Sequence, residues 1–71
     1  MKILQFQNYT VVIGINTMTF NKYPVSIDFL DTLISSAELS GRKSALIGCV
    51  FITLEEAKEI SANYHEVNFN Q

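Results

Sequence analysis

The sequence predicts a two-layer α+β domain: a mixed or antiparallel sheet of three or four strands with two helices on one face. Three observations lead there. Residues 44–52 form an apolar run rich in β-branched and aromatic side chains. A capped, amphipathic helical pattern lies on each side of that run. The first twenty residues carry strand-like alternation and no helical stripe. The predicted order is ββαβα, with a final strand as an added element, in a single domain spanning residues 1–71.

Residues 2–7 alternate loosely, with Lys2, Leu4 and Phe6 on one side and Ile3, Gln5 and Gln7 on the other. Asn8-Tyr9 is a turn, a bulge or a continuation. Tyr9, Val11, Ile13 and Ile15 then form an apolar face, opposite the thinner Thr10, Val12, Gly14 and Asn16. Residues 16–20 either continue that strand or return as the arm of a hairpin turning near Asn16. Asn21-Lys22-Tyr23-Pro24 reads as a loop, because Pro24 donates no ladder bond and pushes Tyr23 out of the helical region.

The first helix is predicted over 26–39. Ser26 suits the N-cap, and Val25 and Leu30 have the spacing of a hydrophobic staple. Leu30, Leu33, Ile34 and Ala37, extended by Ile27, form an i, i+3, i+4, i+7 stripe. Gly41 stands where a left-handed residue ends a helix, with Arg42 and Lys43 beside the carbonyl end.

Residues 44–52 read as one central strand, since Gly48 would cost a helix interior about 1 kcal/mol. As a single strand it would direct Ala45, Ile47, Cys49 and Phe51 one way and Leu46, Gly48, Val50 and Ile52 the other. Both faces want cover. If this strand and that of residues 10–15 were parallel neighbours, the connection would be a right-handed crossover. Thr53 and Glu56 then make a capping box for a second helix over 54–64, with Leu54, Ala57, Ile60, Ser61 and Tyr64 as its stripe. Val67 and Phe69 have the spacing of a short edge strand.

A chain of 71 residues with 48% hydrophobic and 17% charged side chains is apolar for its size. Small domains bury only about 60% of their unfolded surface, so an excess of this kind points to an interface and to self-association as a homodimer or larger. A net charge of −2 argues against a general nucleic-acid binder, which needs a basic face. The one cysteine, Cys49, excludes an internal disulfide and is expected to be buried. Gln5, Gln7 and Asn8 interrupt the only candidate leader, and no run reaches the ~18 apolar residues of a membrane span. A cytoplasmic protein without membrane attachment is the expectation.

No catalytic or metal-binding constellation emerges, and no cofactor is implied. His65 is the single histidine, and one His with one Cys cannot supply a zinc site. Glu55, Glu56 and Glu59 are explained by capping and solvation. Ser40-Gly41-Arg42-Lys43-Ser44 echoes a phosphate loop but has Ser at position 36 and joins helix to strand. Two features remain as candidate binding residues: the aromatic pair Phe20 and Tyr23 around Lys22, and the basic pair Arg42 and Lys43.

These observations favour a small non-enzymatic binding protein acting by protein–protein contact; that it inhibits a host enzyme or defence complex and is encoded by a phage or mobile element is an expectation from short accessory proteins in general, read from no residue of this chain. The alternative is an oligomeric binder of an anionic metabolite or nucleotide, using Arg42, Lys43, Tyr23 and Phe20. A nucleic-acid-contacting module is the weaker alternative, because Thr10, Val12, Gly14 and Asn16 make a poor stacking platform.

Overall fold

A computed structural model of the chain describes residues 1–69. The class is α+β, as predicted. Strands β1 (Lys2–Gln5), β2 (Thr10–Gly14), β3 (Thr17–Phe20) and β4 (Tyr23–Pro24) form an antiparallel meander in the order β1-β2-β3-β4. Helix α1 (Ile27–Ser40) follows, then a separate hairpin of β5 (Ser44–Ile47) and β6 (Val50–Thr53), then α2 (Leu54–Phe69). No described helix is long and apolar enough to cross a membrane.

Three turns decide where the strands break, and each uses backbone that most L-residues avoid. Asn16 at φ 55° closes β2 onto β3. Asn21 at φ 49° and Lys22 at φ 71° form a two-residue turn between β3 and β4. Two successive positive φ values match the right-handed twist of a hairpin, and Asn is among the few residues that tolerate them. The loop read from Pro24 is therefore a hairpin, with Pro24 on the sheet edge where a missing N–H is tolerated. Gly48 at φ 62° makes the third turn.

That third turn corrects the central strand. Residues 44–52 are two antiparallel arms with Ile47 opposite Val50 and Ala45 opposite Ile52. All described strand pairs are antiparallel, so no right-handed crossover forms, and the element order is ββββαββα in place of ββαβα. The tail also differs. Val67 and Phe69 lie in α2, which continues past Asn63. Asn63 bonds the carbonyl of Glu59 at 2.8 Å and stays helical, and Val67 extends the stripe of Ala57, Ile60 and Tyr64 against the core.

The caps follow the sequence. Ser26 Oγ accepts from the Phe29 amide at 3.1 Å. At the other end of α1, Gly41 takes φ 71°, and the amides of Gly41 and Arg42 bond the carbonyls of Glu38 and Ala37 at 3.3 and 2.9 Å. The Thr53–Glu56 capping box is reciprocal, with both bonds at 3.0 Å.

The core lies on the meander face of Val11, Ile13, Met18 and Phe20, joined by Tyr9. Leu30 and Ile34 of α1, Ala57, Ile60 and Tyr64 of α2, and Ile47 and Ile52 of the hairpin complete it. Helix α2 lies over β1 and β2 and against α1 and β6, while α1 packs on α2 and β5. The other meander face, with Ile3, Thr10, Val12, Thr17 and Thr19, turns away from the core.

Asn68 fastens the last turn of α2 to the sheet. Its Oδ1 accepts from the Asn16 amide at 2.7 Å, and its Nδ2 donates to the carbonyls of Tyr64 at 2.9 Å and Gly14 at 3.3 Å. One side chain thus satisfies both the strained β2–β3 turn and the helix end. Asn68→Ala is expected to lower the unfolding free energy by about 1–3 kcal/mol. In urea titration this appears as a lower midpoint at unchanged slope; an unmoved midpoint would show that water replaces these bonds without loss.

Candidate binding surface

The hairpin turn sorts the side chains of residues 44–53. Directly opposed residues share a face, so Ala45, Ile52, Ile47 and Val50 point together toward the core. Leu46 and Phe51 form the opposed pair on the outer face. Ile47 and Ile52 are buried, while Leu46 and Phe51 remain 51% and 73% exposed. The facing read for one continuous strand is therefore replaced: inserting a turn at Gly48 and Cys49 resets the alternation in the second arm. Cys49 is exposed at that turn rather than buried.

The outer pair connects two grooves. Phe29, Thr32, Leu33, Ser36 and Ala37 of α1 face Ser44, Ala45 and Leu46 of β5, with Arg42 at one end, around a groove of about 430 Å³. Phe20, Asn21 and Tyr23 face Cys49, Val50 and Phe51, with Asn8, around a second groove of about 540 Å³. Phe29 and Tyr23 are about half exposed. Tyr23, Phe51, Leu46 and Phe29 thus make a strip running from the meander edge, across the hairpin, to α1. Residues 44–54 contain no charged side chain, and among the described residues Arg42 alone lines either groove with an ionic group.

Gly48 is required where the strip meets the meander. A Cβ there would sit 3.4 Å from the Tyr23 ring, on backbone already left-handed. The Tyr23 ring packs against the turn at ordinary van der Waals distance from such a Cβ, so the demand for glycine comes from the backbone.

Of the candidate residues read from the sequence, only Phe20 and Tyr23 line the same groove. Phe20 is 1% exposed and belongs to the core. Lys22 occupies the β3–β4 turn and Tyr23 the second groove. Arg42 lines the first groove, whereas Lys43 lines a separate hollow with Thr53, Leu54, Glu55 and Lys58. The sequence reading missed Phe29, Leu46 and Phe51. Phe29 was detectable as an aromatic residue off the α1 stripe. Leu46 and Phe51 become a pair only once the turn is known.

Polar clusters elsewhere serve packing. Asp31 accepts from Ser61 Oγ at 2.6 Å and contacts His65 Nε2 at 3.3 Å, joining α1 to α2. The hydroxyl, imidazole and carboxylate of a nucleophilic triad are present, but the carboxylate lies between the other two, and Ser61 donates to Asp31 rather than to His65. Lys58 pairs with Glu38 at 2.8 Å. No group of three His, Cys, Asp or Glu side chains among the described residues can hold a metal ion.

Comparison with protein-family models, with curated proteins and with solved structures finds no match.

The Tyr9 phenol is buried in the core and lines neither groove. Burial raises the pKa of the Tyr9 phenol, and the Glu56 carboxylate beside it raises it further by hydrogen bonding and by charge, with a smaller effect from Glu59. Tyr9 Oη has no partner within ordinary hydrogen-bond limits, so its contact with Glu56 is long or bent. The folded chain keeps this phenol neutral, while the unfolded chain ionises it near its ordinary value of about 10. Its contribution to stability is complete below that pH and is lost as the pH rises above it. Tyr9→Phe is expected to flatten the alkaline fall in thermal midpoint, and an identical fall in both proteins would assign it to other groups.

Proposed function

We propose that this chain is a binding protein that acts by protein–protein contact, through the strip of Tyr23, Phe51, Leu46 and Phe29. One observation carries the reading: the outward pair Leu46–Phe51 on an uncharged hairpin whose inner face is already packed. Single exposed apolar residues are ordinary, but contiguous ones flanked by polar surface mark contacts. About half to three-quarters of each of these side chains is still exposed, so burying the remainder is worth about 1–2 kcal/mol each before the costs of association. Aromatic anchors of this kind dominate many interfaces.

Occupying a partner's working surface requires no chemistry of the chain itself, so inhibition of that partner fits this mode of action. The small-ligand reading has less support. Arg42, Lys43 and Tyr23 line three different hollows, and Phe20 has no free ring face to offer.

The test uses Leu46→Thr with Phe51→Thr, which removes both large apolar side chains while keeping strand-forming residues and placing no like charges across the pair. Affinity capture with the wild-type chain should retain one protein in stoichiometric amount, and the folded double variant should lose it. Retention by both forms, or by neither, would end the reading. A concentration-dependent mass in light scattering that the double variant abolishes would make a second copy of the chain the occupant.

A further inference from the structure

We propose that the groove between β5 and α1 binds an extended peptide that adds as a third strand to the hairpin, antiparallel to β5, with a carboxylate at its C-terminal end held by Arg42. This rests on the protein-contact reading and names the chemistry of the partner.

The first argument is the free edge of β5. The Leu54 amide bonds the Lys43 carbonyl at 2.8 Å. Antiparallel ladders alternate between hydrogen-bonded and non-bonded pairs, so Ala45–Ile52 and Ile47–Val50 are the next bonded pairs in this register. The N–H and C=O groups of Ser44 and Leu46 then point away from β6. Among the described residues strand β5 has no second neighbour in its sheet, and Ser44 and Leu46 are exposed. A row of outward donors and acceptors is what a peptide strand pairs with.

The second argument is where that edge opens. The groove is lined by α1 and by residues 44–46, and by no residue of β6. It therefore lies on the free side of β5. Its walls supply Phe29, Leu33, Ala37, Ala45 and Leu46 for alternate apolar side chains, with Thr32, Ser36 and Ser44 between them.

The third argument is charge. Arg42 makes no ion pair among the described residues, and no acid lines the groove. Glu38 on the adjoining turn is already paired with Lys58, and the Ala37 and Glu38 carbonyls are taken by the cap amides of Arg42 and Gly41. Arg42 precedes the first residue of β5. An antiparallel peptide ends beside that point, so its terminal carboxylate, or an acidic side chain in its last residue, meets the guanidinium. A second copy fits less well, because the uncharged residues 44–54 would bring no anion to Arg42.

The test uses a pool of N-acetylated hexapeptides with Val, Ile, Leu or Phe at alternate positions and Thr between them, with a free C-terminus. Binding is followed through the amide NMR shifts and hydrogen exchange of the full chain. The Ser44 and Leu46 amides should shift and gain protection. Amidating the pool should weaken binding at least about fivefold, and Arg42→Gln should weaken binding of the free-carboxylate pool equally while leaving the amidated pool unchanged. Ser44→Pro, which removes an outward donor and spares the bonds to β6, should abolish binding with the hairpin intact. An amidated pool ending in Glu separates the sources: recovery assigns a side-chain carboxylate, and no recovery assigns a chain end. Silence at Ser44 and Leu46, or indifference to both amidation and Arg42→Gln, overturns strand addition. If the Leu46 and Phe51 variant still loses its captured protein in that case, protein contact stands and only the strand mode falls; if that capture also fails, both fall.

Discussion

Gly48 holds φ at 62° in the middle of the most apolar stretch of the chain, and the rest of the architecture depends on that one conformation. A left-handed residue reverses the chain there, so residues 44–53 become two short arms. The reversal sends Ile47 and Ile52 into the core and leaves Leu46 and Phe51 outside. It also exposes Cys49 and leaves β5 with a neighbour on one side only. A side chain at position 48 would strain the turn, because L-residues rarely adopt a φ of 62°, while its Cβ would meet the Tyr23 ring at ordinary van der Waals contact.

Helix α2 then ties the two sheets together. Its first turn is fixed by Thr53 and Glu56 directly after β6, and its last turn is fixed by Asn68 at the β2–β3 turn. Between these anchors Ala57, Ile60 and Tyr64 cover the meander. Helix α1 is held more laterally, by α2 and β5, and by the bonds of Asp31 to Ser61 and His65. A meander on one side and a hairpin on the other are thus joined through a helix that touches both.

The proposed surface follows from this arrangement. The hairpin has one satisfied face and one open face, flanked by a groove on each edge. Its uncharged sequence keeps the middle of the strip apolar, and Arg42 alone brings charge to it. Such a surface combines the two contributions that specific recognition uses: apolar area for affinity and a placed cation for register.

Much of the local structure was legible in the sequence because it rests on local chemistry. Ser26, Gly41 and the Thr53–Glu56 pair mark helix ends through bonds spanning a few residues, and the alternation of Tyr9, Val11 and Ile13 marks a core face. The α+β class follows from these signals. Arg42, Lys43 and Tyr23 were recognised as exposed polar or aromatic groups, but their separation into different hollows depends on how the elements pack. The breaks inside residues 10–24 and 44–53 were less legible, because Asn and Gly permit a left-handed φ without requiring it. Continuation of α2 past Asn63 was hidden for a similar reason: Asn68 finds its partners 52 and 54 residues away. By itself the sequence determined the class, the caps and the excess of apolar side chains. The tertiary structure alone decided which of those side chains stay exposed, since that choice is made by strand register, and a single turn inverts it.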